Sequence, residues 1–494
     1  MSISSYPALD PKEYGLPDTA ELAALLAAYS PEFAPQSLLS GQSAPQEQGY
    51  TPKVVPHSAR ASTRGPDAGG LNPIPAAEAA PSAARIGNVP VETIRADFPI
   101  LGEVVNGHRL VWFDNAATTQ KPGAVIDRLT YYYSHENSNV HRGAHTLAAR
   151  STDAYEAARG KIARFIGAPG SDNIVFVRGT TEGINLVAQA YVKQYLRPGD
   201  EIILTLLEHH ANIVPWQLLA QETGAELRAA PVDDSGQIIL SGYAALFNAR
   251  TRFVSAAHVS NALGTVAPVE EMIALAHSNG TRILIDGAQS VSHMPVNVSA
   301  LDADFFVFSG HKIYGPTGIG ALYGKKEVLD AARPYQGGGN MIADVTFAET
   351  VYHEAPTKFE AGTGNIAGAV GLGAALDYLS SIGMQHIDAY EQELLAYGTR
   401  ALSAVPGLTL IGTAAHKASV LSFVLDGHDL EEISGRLSAA GIAVRAGHHC
   451  AQPILRRFGL EGTVRPSLAF YNTREEIDLL VDVVSSIAGA KAWA

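Results

Sequence analysis

From about residue 91 onward the chain predicts a doubly wound α/β fold, and three observations carry that prediction. Short runs of Ile, Leu, Val and Phe recur and read as buried parallel strands. Helical patterns separate them, the alternation that builds a parallel sheet. Two of the runs end in residues able to do chemistry: TRILIDGAQS (281–290) reaches Asp286 and ADFFVFSGHK (303–312) reaches Lys312. In open α/β sheets, chemistry collects at strand carboxyl ends.

Residues 1–90 stand apart. They hold 13 of the 27 prolines, and 31–90 is dominated by Pro, Ala, Ser, Gly and Gln. Such a stretch buries too little apolar surface to offset the entropy of ordering, so a mostly disordered extension is expected. Inside it, DTAELAALLAAYS (18–30) pairs Asp18 with Glu21 as a capping box and sets Leu22, Leu25, Leu26 and Tyr29 on one helical face. A lone helix this short is marginal in water, so its stripe at 18–29 wants a surface, on another protein or on this chain's own body.

The strand candidates that follow are NIVFVRG (173–179), DEIILTLLE (200–208), TRFVSAAHVS (251–260) and the two runs already quoted. Helices are expected between them, at GINLVAQAYVKQYL (183–196) and VEEMIALAHSNG (269–280). A Gly-rich patch, QGGGN (336–340), precedes the last third, which opens with a helical pattern near 366–382 and then mixes helices with the strands LTLIG and SVLSFVL. The expected division is a large domain over 112–365 and a smaller α+β domain from 91–111 and 366–494.

Composition narrows the function. The 494 residues carry a net charge of −14, with no basic run, so nucleic acid and anionic membrane are poor partners. No run approaches the roughly 18 apolar residues of a membrane span. The N-terminus lacks a basic and then apolar leader, and Asp10, Glu13, Asp18 and Glu21 argue against a transit peptide, so a cytoplasmic protein is expected. A single cysteine, Cys450, excludes an internal disulfide framework and any multi-thiolate metal site, and it fits a reducing compartment.

Several strings carry candidate chemistry. A carboxylate at one strand tip and an amine at another suit pyridoxal phosphate (PLP): Lys312 would bond the aldehyde, and Asp286 would keep the pyridine nitrogen protonated. The plain alternative is an ion pair between neighbouring strands. RGTTEGIN (178–185) follows a strand and opens a helix, so its amides with the Thr180 and Thr181 hydroxyls make a phosphate cradle. The nearest approach to a nucleotide P-loop, GIGALYGKK (318–326), has the wrong spacing. EHHANIVPW (208–216) places His209 at a strand tip, where it could lie over a planar ring or be a surface histidine. VRAGHHCAQP (444–453) sets Cys450 on a loop beside Arg445 and two histidines, the setting of a reactive thiol rather than a buried inert one. Adjacent imidazoles at 209/210 and 448/449 with at most one thiolate make a poor metal site, so none is expected. TVRPSLAFYN (463–472) offers Arg465, able to grip a carboxylate bidentately or to form an ordinary salt bridge.

With these strings assembled, the chain from about residue 90 to its end resembles the class V, fold-type I PLP enzymes, and within them the SufS-type (group II) cysteine desulfurases. The resemblance is carried by FDNAATTQKP (113–122), VHRGAHTLA (140–148), RGTTEGIN, EHHANIVPW, HVSNALGT (258–265), DGAQS, FSGHKIYGPTG (308–318), FEAGTGN (359–365) and the compact VRAGHHCA (444–451). It implies a mostly parallel seven-stranded sheet in the large domain and a smaller C-terminal α+β domain. It also implies roles. Lys312 would hold the coenzyme and move the substrate α-proton, Asp286 would meet the pyridine nitrogen, Gln289 the ring hydroxyl, and His209 would stack on the ring. Thr181, Ser309 and His311 would hold the phosphate, with Thr363 arriving from the second subunit of a homodimer. Asn261 and Arg465 would orient the substrate, Arg445 lying near the same group.

The implied reaction converts L-cysteine to L-alanine and leaves a persulfide on Cys450. That sulfur would pass to a SufE-like or SufU-like acceptor in sulfur mobilisation for iron–sulfur cluster assembly. The alternatives are a selenocysteine lyase or another class V lyase or aminotransferase. Two departures touch the pattern, Pro466 after Arg465 and Gly364 within FEAGTGN, and neither removes a reacting group. The extension resembles that of desulfurases packaged as encapsulin cargo, which would place the enzyme inside a shell.

Overall fold

The computed structural model describes residues 84–141 and 145–490. The stripe at 18–29, the extension up to residue 83, and residues 142–144 lie outside the described residues.

The core is a seven-stranded sheet of β1 (Ile174–Val177), β2 (Glu201–Thr205), β3 (Glu226–Ala230), β4 (Thr251–Ala257), β5 (Arg282–Asp286), β6 (Phe305–Ser309) and β7 (Gly320–Gly324). Their spatial order is β1-β7-β6-β5-β4-β2-β3, parallel except for β7, which runs antiparallel to both neighbours. The central strands are buried along most of their length, which is why they read as continuous apolar runs rather than as alternation. The observed strands stop short of the predicted ends. The residues trimmed from those ends, such as Gly287 and Gly310, form the turns that carry the site.

Two strands escaped the sequence. β3 (ELRAA) is a sheet edge with mostly exposed side chains, and β7 (GALYG) has too little apolar mass to register. The helix predicted over 183–196 forms only as α1 (Thr180–Leu186), continuing as a π turn (Val187–Tyr191) and a 3-10 turn (Val192–Tyr195). Buried residues stand there at nearly successive positions (Val187, Ala188, Ala190, Tyr191, Val192), more than one stripe of a regular helix can turn inward.

Beyond the sheet, α2 (Ile366–Ile382) packs on the helices Gly123–His135 and Thr146–Phe165. It bends by 75° into α3 (Met384–Ser403), and no single described helix is long and apolar enough to cross a membrane. A second, antiparallel sheet orders β8 (Leu408–Leu410), β9 (Phe423–Leu425), β11 (Thr463–Arg465) and β10 (Arg445–Gly447). Val111–Trp112 pairs in parallel with Ile442–Ala443, and Asp114 bridges Ser467, so the chain just before the large sheet is tied to the C-terminal part.

One boundary moves. Residues 85–90, grouped with the extension on composition, form a two-stranded hairpin with Ile86 buried against α3. Its Gly87 takes the left-handed turn that the short connection requires.

Candidate active site

Asp286 ends β5, and Lys312 stands one turn beyond β6, the neighbouring parallel strand, so both reach one end of the sheet. Gly287 lets that corner close, since an added Cβ would lie 2.0 Å from the Phe306 ring. The two residues make no salt bridge with each other, which removes the plain ion-pair reading. Burial lowers the Lys312 amine to about 8, with Asp286 opposing and Arg465 adding to the effect. Burial pushes Asp286 upward, against the Ala288 amide on its Oδ1 (2.9 Å) and the Lys312 charge.

The lysine turn is clasped from outside. The His311 carbonyl accepts from the Thr119 amide (3.1 Å) and from Thr118 Oγ1 (3.0 Å), Thr119 Oγ1 (3.2 Å) and Lys121 Nζ (3.2 Å). The His311 ring, pushed down to about 4 by burial and then by the Lys312 and Lys121 charges, is a neutral imidazole.

On the cradle side, Thr180 and Ser309 meet. The Thr180 amide donates to Ser309 Oγ at 2.9 Å, and the two hydroxyls lie 2.9 Å apart. Gly179, at φ 157°, keeps the approach open, since a Cβ there would sit 3.1 Å from Ser309 Oγ. Thr181 is exposed beside them. Thr363 is not brought to this group. Its hydroxyl reaches Asn139 Oδ1 at 3.4 Å, and it lines a cavity of about 410 Å³ with Arg178, Glu182 and Gly318.

His209 follows β2. Its Nδ1 accepts from the Ala211 amide (3.0 Å), which leaves the hydrogen on Nε2. Burial, then the Lys312, His210 and Arg465 charges, lower it to about 3, so it is neutral. The turn is pinned by Glu208, wholly buried, which accepts from Thr205 Oγ1 (2.6 Å), Asn212 Nδ2 (2.6 Å) and the Ala257 amide (2.9 Å). Gln289 donates from Nε2 to the Ala116 carbonyl at 2.7 Å, which fixes the amide and leaves its oxygen free to accept.

Opposite stands the cysteine loop. His449 and Cys450 both adopt left-handed backbone, at φ 52° and 54°. Four contacts hold this turn. The His210 amide donates to the Cys450 carbonyl (2.7 Å), and the Cys450 amide to His448 Nδ1 (3.0 Å). Asn261 Nδ2 donates to the His449 carbonyl (2.7 Å), and the His449 ring meets Thr463 Oγ1 (2.8 Å). Arg465 donates to the Asn261 carbonyl (2.9 Å) and to Asp114 Oδ1 (3.1 Å), while Arg445 reaches Asp114 Oδ2 (3.1 Å). Among the described residues, no group of three His, Cys, Asp or Glu side chains could hold a metal ion.

The structure thus gathers Lys312, Asp286, His209, Ser309 and Thr180 at one sheet end, with Cys450 and Asn261 on loops and Arg465 and Arg445 on adjacent strands of the second sheet. Sequence reasoning missed Asp114, Lys121 and Glu208. All three lie inside quoted strings, but Asp114 and Lys121 meet partners distant in the chain, Asp114 an arginine 331 residues away, whereas Glu208 is pinned mainly by its own turn.

These side chains fit PLP and an amino acid. Asp286 is a buried carboxylate to which a protonated pyridine nitrogen would bring the counter-charge. Asn261 Oδ1 and Arg465 Nε are buried without a hydrogen-bond partner among the described residues, an acceptor and a donor that match an ammonium and a carboxylate. A lysine amine lowered from its ordinary value by burial and a buried carboxylate, at one end of a mostly parallel sheet, are what fold-type I PLP enzymes build.

The model of the aminotransferase class-V family matches residues 111–480, and the chain belongs to that family. It is 64% identical over 414 residues to a cysteine desulfurase of Synechococcus elongatus, covering 84% of this chain but only 66% of that relative. It is 50% identical over 393 residues to a cysteine desulfurase of Pectobacterium atrosepticum, covering 79% of this chain and 96% of that one. The structure of the cysteine desulfurase CsdA from Escherichia coli superimposes with a TM-score of 0.76 at 41% identity, covering 81% of this chain and 98% of that one.

Proposed function

We propose that this protein is a PLP-dependent cysteine desulfurase of the SufS type that converts L-cysteine to L-alanine and collects the sulfur on Cys450. The observation that carries this reading is electrostatic and geometric. The one cysteine stands on a pinned loop facing the sheet end, and the Lys312 amine and the Arg465 guanidinium both feel its charge.

Lys312 would anchor the coenzyme, Asp286 would face its ring nitrogen, Gln289 its hydroxyl and His209 its ring, while Thr180, Thr181, Ser309 and His311 would surround its phosphate. Bound there, PLP supplies an electron sink for the pair released at the substrate carbons. The chain's own residues do the rest. Arg465, steadied by Asp114 and Asn261, takes the substrate carboxylate. Lys312 Nζ, poised near neutrality, takes the α-proton and returns protons as alanine forms. Cys450 Sγ attacks the substrate sulfur as a thiolate, forming the S–S bond as the carbon–sulfur bond breaks.

In the test, Cys450→Ala loses alanine release from L-cysteine and the added sulfur atom on the protein, yet keeps the visible absorbance of bound coenzyme. Intact cysteine turnover in that variant refutes the reading.

The working unit is a homodimer that hands sulfur to a SufE-like or SufU-like thiol protein. The hairpin Ile342–Val345/Thr350–Tyr352 supports the dimer, because it exposes Val345, Phe347, Val351 and Tyr352, and so does the exposed Thr363 loop. Phe347→Asp shifts the mass measured by light scattering from dimer to monomer; an unchanged mass counts against this interface. The capped Leu/Tyr stripe at 18–29 supports docking inside an encapsulin shell in the cytoplasm. Equal packaging of the chain with and without residues 1–83, on co-expression with shell protein, refutes that role.

A further inference from the structure

Arg445 and Arg465 stand at matching register on adjacent antiparallel strands, β10 and β11, so their like charges are forced together. One carboxylate reconciles them. Asp114 gives Oδ1 to Arg465 (3.1 Å) and Oδ2 to Arg445, at 3.2 Å from Nε and 3.1 Å from NH2. The carboxylate is itself fixed, because the preceding residues Val111–Trp112 pair with Ile442–Ala443 and Asp114 bridges Ser467. Two cations and one anion leave a single net positive charge at this corner of the site. Arg465 is 2% exposed and keeps a buried Nε without a partner among the described residues, whereas the Arg445 side chain is 49% exposed.

We propose that Asp114 is a positioning and specificity-determining residue that yokes Arg445 to Arg465 and cancels one of their charges, so that the site takes amino acids bearing a single carboxylate. Arg465 is left to bind that carboxylate. Arg445, with Nε and NH2 both given to Asp114 Oδ2, is drawn to that carboxylate rather than to a second anion on the substrate side chain. The yoke also reaches the nucleophile, since the Arg465 guanidinium holds the Asn261 carbonyl and the Asn261 amide holds the His449 carbonyl. The inference rests on the reading of Arg465 as the carboxylate holder.

The test uses the coenzyme-loaded enzyme and compares competitive inhibition of L-cysteine turnover by L-serine and by L-cysteate, which differ in the second anionic group. Asp114→Asn frees Arg445 and uncovers its charge. The ratio of inhibition constants is expected to move about tenfold toward L-cysteate, the size of an uncompensated charge at the rim of a site. KM for L-cysteine rises as both guanidiniums lose their anchor, while kcat stays within about threefold, the split expected of lost substrate binding. Asp114→Glu, which keeps the charge, holds the parent preference.

Arg445→Gln, at an exposed position that the fold does not need, moves the ratio the other way, toward L-serine. An unchanged ratio in Asp114→Asn overturns the proposal, and so does an equal shift in Asp114→Glu. Should Asp114→Asn fail to load coenzyme, an unchanged ratio in Arg445→Gln overturns it instead. Arg465→Lys separates the two ideas: an unchanged KM for L-cysteine there defeats the carboxylate reading itself, whereas a raised KM beside a silent Asp114→Asn defeats only the present inference.

Discussion

Thr463→Val tests whether the cysteine loop is held in a strained shape for its chemistry. His449 and Cys450 are successive non-glycine residues in left-handed backbone, at φ 52° and 54°. Each such residue costs about 1–2 kcal/mol, so the turn stores about 2–4 kcal/mol that its contacts must offset. One contact is the 2.8 Å bond between the His449 ring and Thr463 Oγ1, both buried. Burial and the Arg465 charge push His449 down to about 3, so this is a bond of a neutral imidazole. Valine keeps the shape and removes the partner, leaving a second ring nitrogen buried without one beside Nδ1, already in that state. The loss is about 1–3 kcal/mol, comparable to the stored strain, and the loop should sample other conformations. At about 1.4 kcal/mol per decade, sulfur capture by Cys450 slows about tenfold or more. The assay is a single turnover with L-cysteine, following alanine release and the sulfur adduct by mass. Coenzyme absorbance and KM should not change, because the Thr463 hydroxyl is given to the His449 ring. A capture rate within about twofold of the parent would show that the remaining three contacts hold the turn alone, and the strain argument would fail.

Lys312, lowered by burial from 10.5 to about 8, should capture PLP in the coenzyme-free protein at a rate that rises with pH and levels off near that value. Because the Arg465 charge helps to depress it, Arg465→Gln should shift the midpoint upward; a midpoint near 10.5 in the parent would contradict the burial argument. Glu360→Ala should lower the melting temperature sharply. It removes the buried partner of Arg159, which bonds Glu360 at 2.6 Å and lies against the Tyr155 and Phe176 rings, leaving the half-exposed Glu156 and the Ile174 carbonyl to hold it, and breaking such a buried pair costs about 3–5 kcal/mol. A loss below about 1 kcal/mol by denaturant titration would show the pair to be surface-like.

The legible part of this protein was its strand tips. Asp286 and Lys312 stood out because buried strands are written as unbroken apolar runs, and a charge at the end of one is conspicuous. Cys450 stood out by being single. Pairings between distant segments were not legible. Asp114 reads as one acid among many until the chain brings it against residues 445 and 465, and Lys121 shows its role only when its amine lands on the His311 carbonyl. The β7 strand was hidden by its own glycines, which its close neighbours require: a Cβ on Gly320 would lie 2.5 Å from the Phe308 carbonyl oxygen. The helix after Thr180 was overextended because periodicity alone does not reveal where a π turn will rotate the face.

What sets the distance between amine and thiol is therefore a small number of stitches rather than either sheet. Lys312 is fixed to the large sheet by β6 and to the segment 118–121 by the clasp on His311. Cys450 belongs to a loop of the second sheet, and two hydrogen bonds tie its backbone to the first, from the His210 amide and the Asn261 side chain, beside the stacked His210 and His448 rings. Both contacts fall on the backbone of residues 449–450. Side-chain changes on the loop therefore leave them in place, whereas Asn261→Ala removes the side-chain bond to the Cys450 loop while its backbone carbonyl still holds Arg465. A double-mutant cycle between Asn261→Ala and Thr463→Val should accordingly show coupling of about 0.5 kcal/mol or more in the rate of sulfur capture. Additive effects would mean that the two contacts restrain separate motions, and that the loop is not the unit on which this geometry depends.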